Sequence, residues 1–188
     1  MTIAVSRRLF TVEDYHEMAN SGILTEDDRV ELLDGEIVEM SPIGSRHAAC
    51  VKRLTKILER QLGDAAILSV QDPIHLGPRS EPQPDLALLK PRADFYAQAH
   101  PGPKDVLLII EVAETLAESD RKLKLPLYAK AGIAEVWIWD LTSKQVEAYL
   151  QPAGKKYLVV ETYNEKQALA PHLLPKLKVD LKEVFRLI

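Results

Sequence analysis

Cysteine is almost missing from this 188-residue sequence, where Cys50 stands alone. A single thiol excludes an intramolecular disulfide and a zinc cage built from thiolates. Long apolar runs are missing as well. None approaches the roughly 18 residues that a bilayer crossing takes, and the opening M-T-I-A-V-S-R-R-L-F holds no apolar core of the secretory kind. A reducing, cytoplasmic setting without a membrane partner is therefore expected. Excess positive charge is also absent: 24 Lys and Arg stand against 28 Asp and Glu, a formal charge of −4. That balance argues against coating nucleic acid by bulk electrostatics. It leaves room for an enzyme that reaches phosphates through a bound cation and local basic groups, such as Lys52, Arg53, Lys56 and Arg60, or Arg121, Lys122, Lys124 and Lys130. The sequence has no G-x-x-x-x-G-K-S/T phosphate loop, no H-E-x-x-H and no nucleophile elbow.

What is present is ordinary in composition, 46% apolar and 28% charged, and long enough for one well-filled core. One domain over residues 1–188 is expected. Thr11 opens T-V-E-D, a near capping box for a short helix that Gly22 ends. Two alternating runs flank Asp34-Gly35, a strong hairpin signal. A helix over about residues 47–62 carries the apolar stripe Val51, Leu54, Ile57, Leu58 and Leu62. Residues 65–70 and 74–76 read as short extended pieces, and G-P-R-S-E-P-Q-P at 77–84 as a loop no helix crosses. Asp85 then opens the strand D-L-A-L-L. Residues 94–99 have some helical tendency, residues 145–150 and 156–162 pair as a hairpin around P-A-G-K, and the tail gives a strand and a last helical turn.

The stretch over residues 106–140 organises the rest. Residues 106–110 read as a strand buried on both faces, with Glu111 at its carboxyl end between Ile110 and Val112. A carboxylate there has to be paired or bound to a cation. Asp120, Lys124 and Tyr128 follow at i, i+4 and i+8 on one helix face. Gly132 closes that helix, Pro126 should kink or bend it, and residues 136–141 form a second buried strand. Such crossover units carry chemistry at the carboxyl ends of their strands.

If the strands of Asp85 and Glu111 are antiparallel neighbours, the start of one lies beside the end of the other, and both carboxylates meet. A divalent cation between them relieves their repulsion and can acidify a water for attack on a phosphodiester. Lys124 then orients that water or stabilises charge on phosphorus, held by Asp120 one turn earlier. Lys122 is the rival lysine. The bland alternatives are a turn role for Asp85, a structural ion pair for Glu111, a surface lysine, a core aromatic for Tyr128, a capping or packing role for His47, and a water-facing Glu31.

Pro84-Asp85, then Glu111 after a hydrophobic strand, then a lysine, resembles the PD-(D/E)XK nuclease superfamily. Ala113 fills the usual lysine slot, which points to the branch whose lysine has moved to the following helix. E-V-A-E-T, D-R-K-L-K-L-P-L-Y-A-K-A-G-I and E-V-W-I-W-D, with E-L-L-D-G-E-I-V-E-M and His47 before them, resemble the Uma-two family of restriction-endonuclease-like proteins over about residues 11–181. The resemblance implies an α/β fold with a restriction-endonuclease-like core: a central mixed β-sheet flanked by α-helices, preceded by a helix and a β-hairpin. It implies Mg2+ at Asp85 and Glu111, with Mn2+ as substitute, Lys124 as catalytic lysine, and Glu31 or His47 completing the site. Many relatives carry Ser-Pro-Ser-Thr where this chain has Glu114-Thr115-Leu116-Ala117, which leaves Glu114 as an extra acidic candidate. The expected activity is endonucleolytic hydrolysis of DNA, with a homodimer needed to cut both strands at once. The alternatives are a nuclease-fold binding module without turnover and, third, a phosphoesterase for small phosphates.

Overall fold

The computed structural model describes residues 7–25, 27–114 and 117–186, the side chains of 117–122 excepted. Helix α1 (Val12–Asn20) starts from the full capping box that Thr11 and Asp14 announce, each side chain bonding the other's backbone amide at 2.9–3.1 Å. Strands β1 (Val30–Leu33) and β2 (Glu36–Glu39) pair antiparallel around Asp34-Gly35. Both turn residues have positive φ, 48° and 88°, the backbone that matches strand twist in a two-residue hairpin. Helix α2 (Ser45–Leu62) begins two residues earlier than expected and buries Cys50, Val51, Leu54, Ile57, Leu58 and Leu62 along one stripe.

Six strands make the main sheet: β3 (Ile67–Val70), β4 (Leu86–Leu89), β5 (Val106–Ala113), β6 (Glu135–Asp140), β7 (Gln145–Ala153) and β8 (Lys156–Asn164), in that spatial order. Only β5 and β6 run parallel, because α3 (Ala117–Ala131) carries the chain back between them; every other pairing is antiparallel. A two-stranded pair, β9 (Ala168–Leu169) with β10 (Val179–Asp180), leads into α4 (Leu181–Phe185).

Alternation along β5 divides the core. Leu108, Ile110 and Val112 join Leu54, Leu58, Trp137, Trp139 and Phe185 on the α2–α4 side. Ile109 and Ala113 join Leu125, Tyr128, Val136 and Ile138 on the α3 side. Glu111 lies between Ile109 and Ala113 in this alternation and so shares the α3 side. The central mixed sheet flanked by helices is the architecture expected.

Details differ where local signals compete with tertiary contacts. Helix α3 runs through Pro126 as continuous helix. Residues 94–99 form turns, with Phe95 and Tyr96 both at positive φ, and residues 74–76 make no strand. The second hairpin is longer than expected: Pro152 and Ala153 belong to β7, so the turn is Gly154-Lys155. Among the described residues no helix is long and apolar enough to cross a membrane.

Candidate active site

The register of β4 and β5 builds the site. Their last ladder pair is Leu86 with Ile110, so Asp85 and Glu111 are the next residues out on neighbouring strands. Beyond that pair β5 continues only against β6, through Val112 and Ala113. The amide edge of β5 that faces β4 therefore runs out of backbone partners, and a side chain replaces them. Val112 N donates to Asp85 Oδ2 at 2.8 Å, while Asp85 N lies 3.3 Å from Glu111 Oε2. This reciprocal clasp fixes both carboxylates at the sheet end, where antiparallel adjacency was expected to bring them.

Four charged groups gather there and are nearly out of solvent: Glu31 at 5% exposure, Asp85 at 9%, Glu111 at 4% and Lys124 at 6%. Lys124 Nζ lies 3.1 Å from Glu31 Oε2 and 3.6 Å from Glu111 Oε1, with the Gln83 carbonyl at 3.4 Å. Glu31 is anchored in turn by Gln83 N at 3.0 Å. The water-facing reading of Glu31 is thus overturned: the strap of residues 80–83 covers β1, pairing Glu81 with Leu32. Tyr128 is fully buried, and its hydroxyl donates to Glu111 Oε1 at 2.6 Å. It is a core aromatic with a bonded hydroxyl, and the acceptor is a site carboxylate.

His47 does not cap α2, whose cap residue is Gly44. Its Nε2 lies 2.7 Å from Asp85 Oδ1, and an ionised carboxylate can only accept, so Nε2 carries the proton. Sequence reasoning missed Gln71 and Gln83. Gln71 Nε2 reaches Asp85 Oδ1 at 3.3 Å from a backbone held at φ 56°, a conformation unusual outside glycine. The one sequence signal was for Gln83, two places before Asp85 in the same extended strap. The side chains of Asp120 and Lys122 lie outside the described residues, as do Thr115 and Leu116. Glu114 pairs with Arg46 at 3.3 Å. Its Oε2 approaches Gly44, where an added Cβ would sit 2.7 Å away and the flexible carboxylate would have to move aside.

The site opens into a cleft of 580 Å³ walled by the hairpin, residues 40–44 and the start of α2. Its innermost described charges are three carboxylates, Glu31, Asp85 and Glu111, against one ammonium, Lys124. The excess of two negative charges equals one divalent cation. Among the described residues no three His, Cys, Asp or Glu groups form a ready metal cage. Magnesium asks for less, one or two carboxylates with water and substrate oxygens in the other positions, and Asp85 with Glu111 suits that demand.

Cys50, one turn after His47, is wholly buried. Burial, with the Asp85 charge adding to it, pushes its thiol up to about 12. At pH 8 the folded protein should leave a thiol reagent unreacted, while the denatured chain consumes one equivalent; full labelling of folded protein would contradict this packing.

The structure resembles the crystal structure of a "putative nuclease belonging to DUF820" from Anabaena variabilis, with a TM-score of 0.73 at 14% identity, covering 94% of this chain and 97% of that one. At such identity the likeness speaks for the fold alone. No curated protein matches the chain. The family model described as "Putative restriction endonuclease", Uma2, matches residues 12–182. With nearly its whole length taken in by that match, this chain belongs to the Uma2 family.

Proposed function

We propose that the protein is a magnesium-dependent endonuclease that hydrolyses DNA phosphodiester bonds. The observation that carries the reading is the clasp of Asp85 against Glu111 with the Lys124 ammonium beside them, buried under an open cleft. The family description and the neighbour's printed name agree with it.

Asp85 and Glu111 would hold the metal, which when bound lowers the pKa of water and neutralises phosphate charge. The chain's own groups do the positioning. His47, Gln71 and Val112 N orient Asp85, and Tyr128 orients Glu111. Glu31 holds Lys124 in its aim. Lys124 donates hydrogen bonds to the attacking water and to the phosphate oxygens on which charge accumulates. One such centre cuts one strand, so cutting both strands at once takes a homodimer.

The test is conversion of supercoiled plasmid to nicked and linear forms in Mg2+ or Mn2+, for the wild-type protein and for Asp85→Ala, Glu111→Ala and Lys124→Ala. Cutting by the wild type that all three folded variants lose is the expected result. DNA retained by the wild type without any cutting would assign the binding module instead. Release of phosphate from small esters alone would assign the phosphoesterase.

A further inference from the structure

A second hollow of 610 Å³, sharing no lining residue with the first, opens between the start of α1, the strap at residues 75–81 and the loop at 96–100. Glu81 reaches into it with its side chain 3% exposed. One carboxylate oxygen, Oε1, lies 2.6 Å from His16 Nε2. The other, Oε2, is buried and makes no hydrogen bond, and His75 Nδ1 stands 3.5 Å away. His100 lines the same hollow, edge-on to His16 with ring centroids 6.4 Å apart. Three imidazoles and one buried carboxylate with an unmet oxygen therefore face a single space. An orphaned buried acceptor is uncommon in a folded protein and calls for a partner.

The backbone around this cluster is tied down from several directions. Val12 N donates to Pro78 O at 2.9 Å, His75 N to Pro101 O at 3.0 Å and Glu81 N to Leu32 O at 2.8 Å. The chain approaches His100 through Phe95 and Tyr96, consecutive non-glycine residues at φ 49° and 61°, a costly backbone of the kind that gathers at ligand sites.

We infer that this hollow binds a borderline transition-metal dication, zinc by preference, through His16, His75 and Glu81, with His100 in reach as a fourth ligand. Imidazole nitrogen with one carboxylate is a zinc donor set, whereas magnesium takes oxygen. Zinc bonds of about 2.0–2.1 Å in a tetrahedron set neighbouring donors about 3.3 Å apart. His75 and Glu81 stand near that spacing already. His16 and Glu81 are closer because a hydrogen bond joins them, and the ion takes the place of that bridging proton, which moves to Nδ1 of the same ring as the imidazole changes tautomer. No three of these groups yet converge at metal-holding distance among the described residues, so uptake draws in His75 and His100. His75 is partly exposed and His100 is exposed. The bound ion would staple α1 to the strap that leads on to Gln83 and Asp85.

The proposal is independent of the nuclease reading, and the experiment keeps the two apart. The full chain without a histidine tag is titrated with Co2+, whose visible absorption reports nitrogen ligation, and then with Zn2+. One cobalt should bind with a visible band that zinc removes. His16→Gln, His75→Gln and Glu81→Gln should each weaken binding at least about tenfold, and Glu111→Ala should leave the band in place. No visible band in the wild type overturns the proposal, as does a band that His16→Gln and His75→Gln leave unchanged or that Glu111→Ala abolishes. Where a variant loses its fold by circular dichroism, ring-nitrogen NMR of the wild type decides. Zinc must shift His16 Nε2 and His75 Nδ1, and unmoved signals overturn the site.

Discussion

Lys124→Met is expected to slow phosphodiester cleavage by about 10²–10³-fold, the effect of removing one preorganised charge-stabilising donor. The same change should weaken the fold. Glu31 and Glu111 lie within 3.1 and 3.6 Å of the ammonium and are nearly fully buried, so the variant keeps two desolvated carboxylates with one positive charge fewer. Breaking a buried pair in this way costs about 3–5 kcal/mol, measurable by urea denaturation in the absence of metal. Manganese should restore part of that loss, because its charge compensates the same carboxylates. Wild-type cutting rates in the methionine variant would remove Lys124 from the mechanism.

Asp85→Asn and Asp85→Ala should separate metal binding from structure. Asparagine keeps an oxygen for Val112 N, which now donates to Asp85 Oδ2 at 2.8 Å, and its amide can face His47 once the imidazole changes tautomer and Gln71 once that side-chain amide flips. Its fold should match the wild type, while Mn2+ affinity measured by calorimetry falls by about 10²-fold or more, since a charged ligand is gone. Alanine also leaves the amide at the end of β5 unmet, and a buried unsatisfied donor adds a destabilisation of about 1–3 kcal/mol. Equal Mn2+ affinity in the asparagine variant and the wild type would refute Asp85 as a ligand.

Much of this arrangement was legible before any coordinates. The unbroken apolar run before Glu111, the helical spacing after it and the second apolar run identify a strand–helix–strand unit. Pro84 fixes where the Asp85 strand begins, while the antiparallel pairing of the two strands across residues 90–105 stands in the sequence only as a condition. Other features depend on contacts that no local pattern encodes. Glu31 reads as one residue of an alternating strand, and alternation alone does not say which face a distant strap will cover. The Asp120 side chain, which the i, i+4 rule offers to Lys124, lies outside the described residues, and the spacing names neither Glu31 of the hairpin nor Glu111 of β5, both of which lie beside the ammonium. Strand β5 extends past Glu111 because β6 runs parallel beside it. Gln71 contributes through a left-handed backbone turn that its side chain gives no hint of. His47 signals a helix start, yet the cap is Gly44, three residues earlier.

Carrying the ammonium on α3 instead of two residues beyond Glu111 has one further effect. A lysine in the Ala113 slot would arrive with its strand as soon as the sheet zipped together. Here the acidic pair can be complete while the amine is still elsewhere, and only docking of Leu125 and Tyr128 against the sheet delivers it. Under the proposed nuclease reading, competence to cleave thereby depends on the packing of α3 as well as on the closing of the sheet.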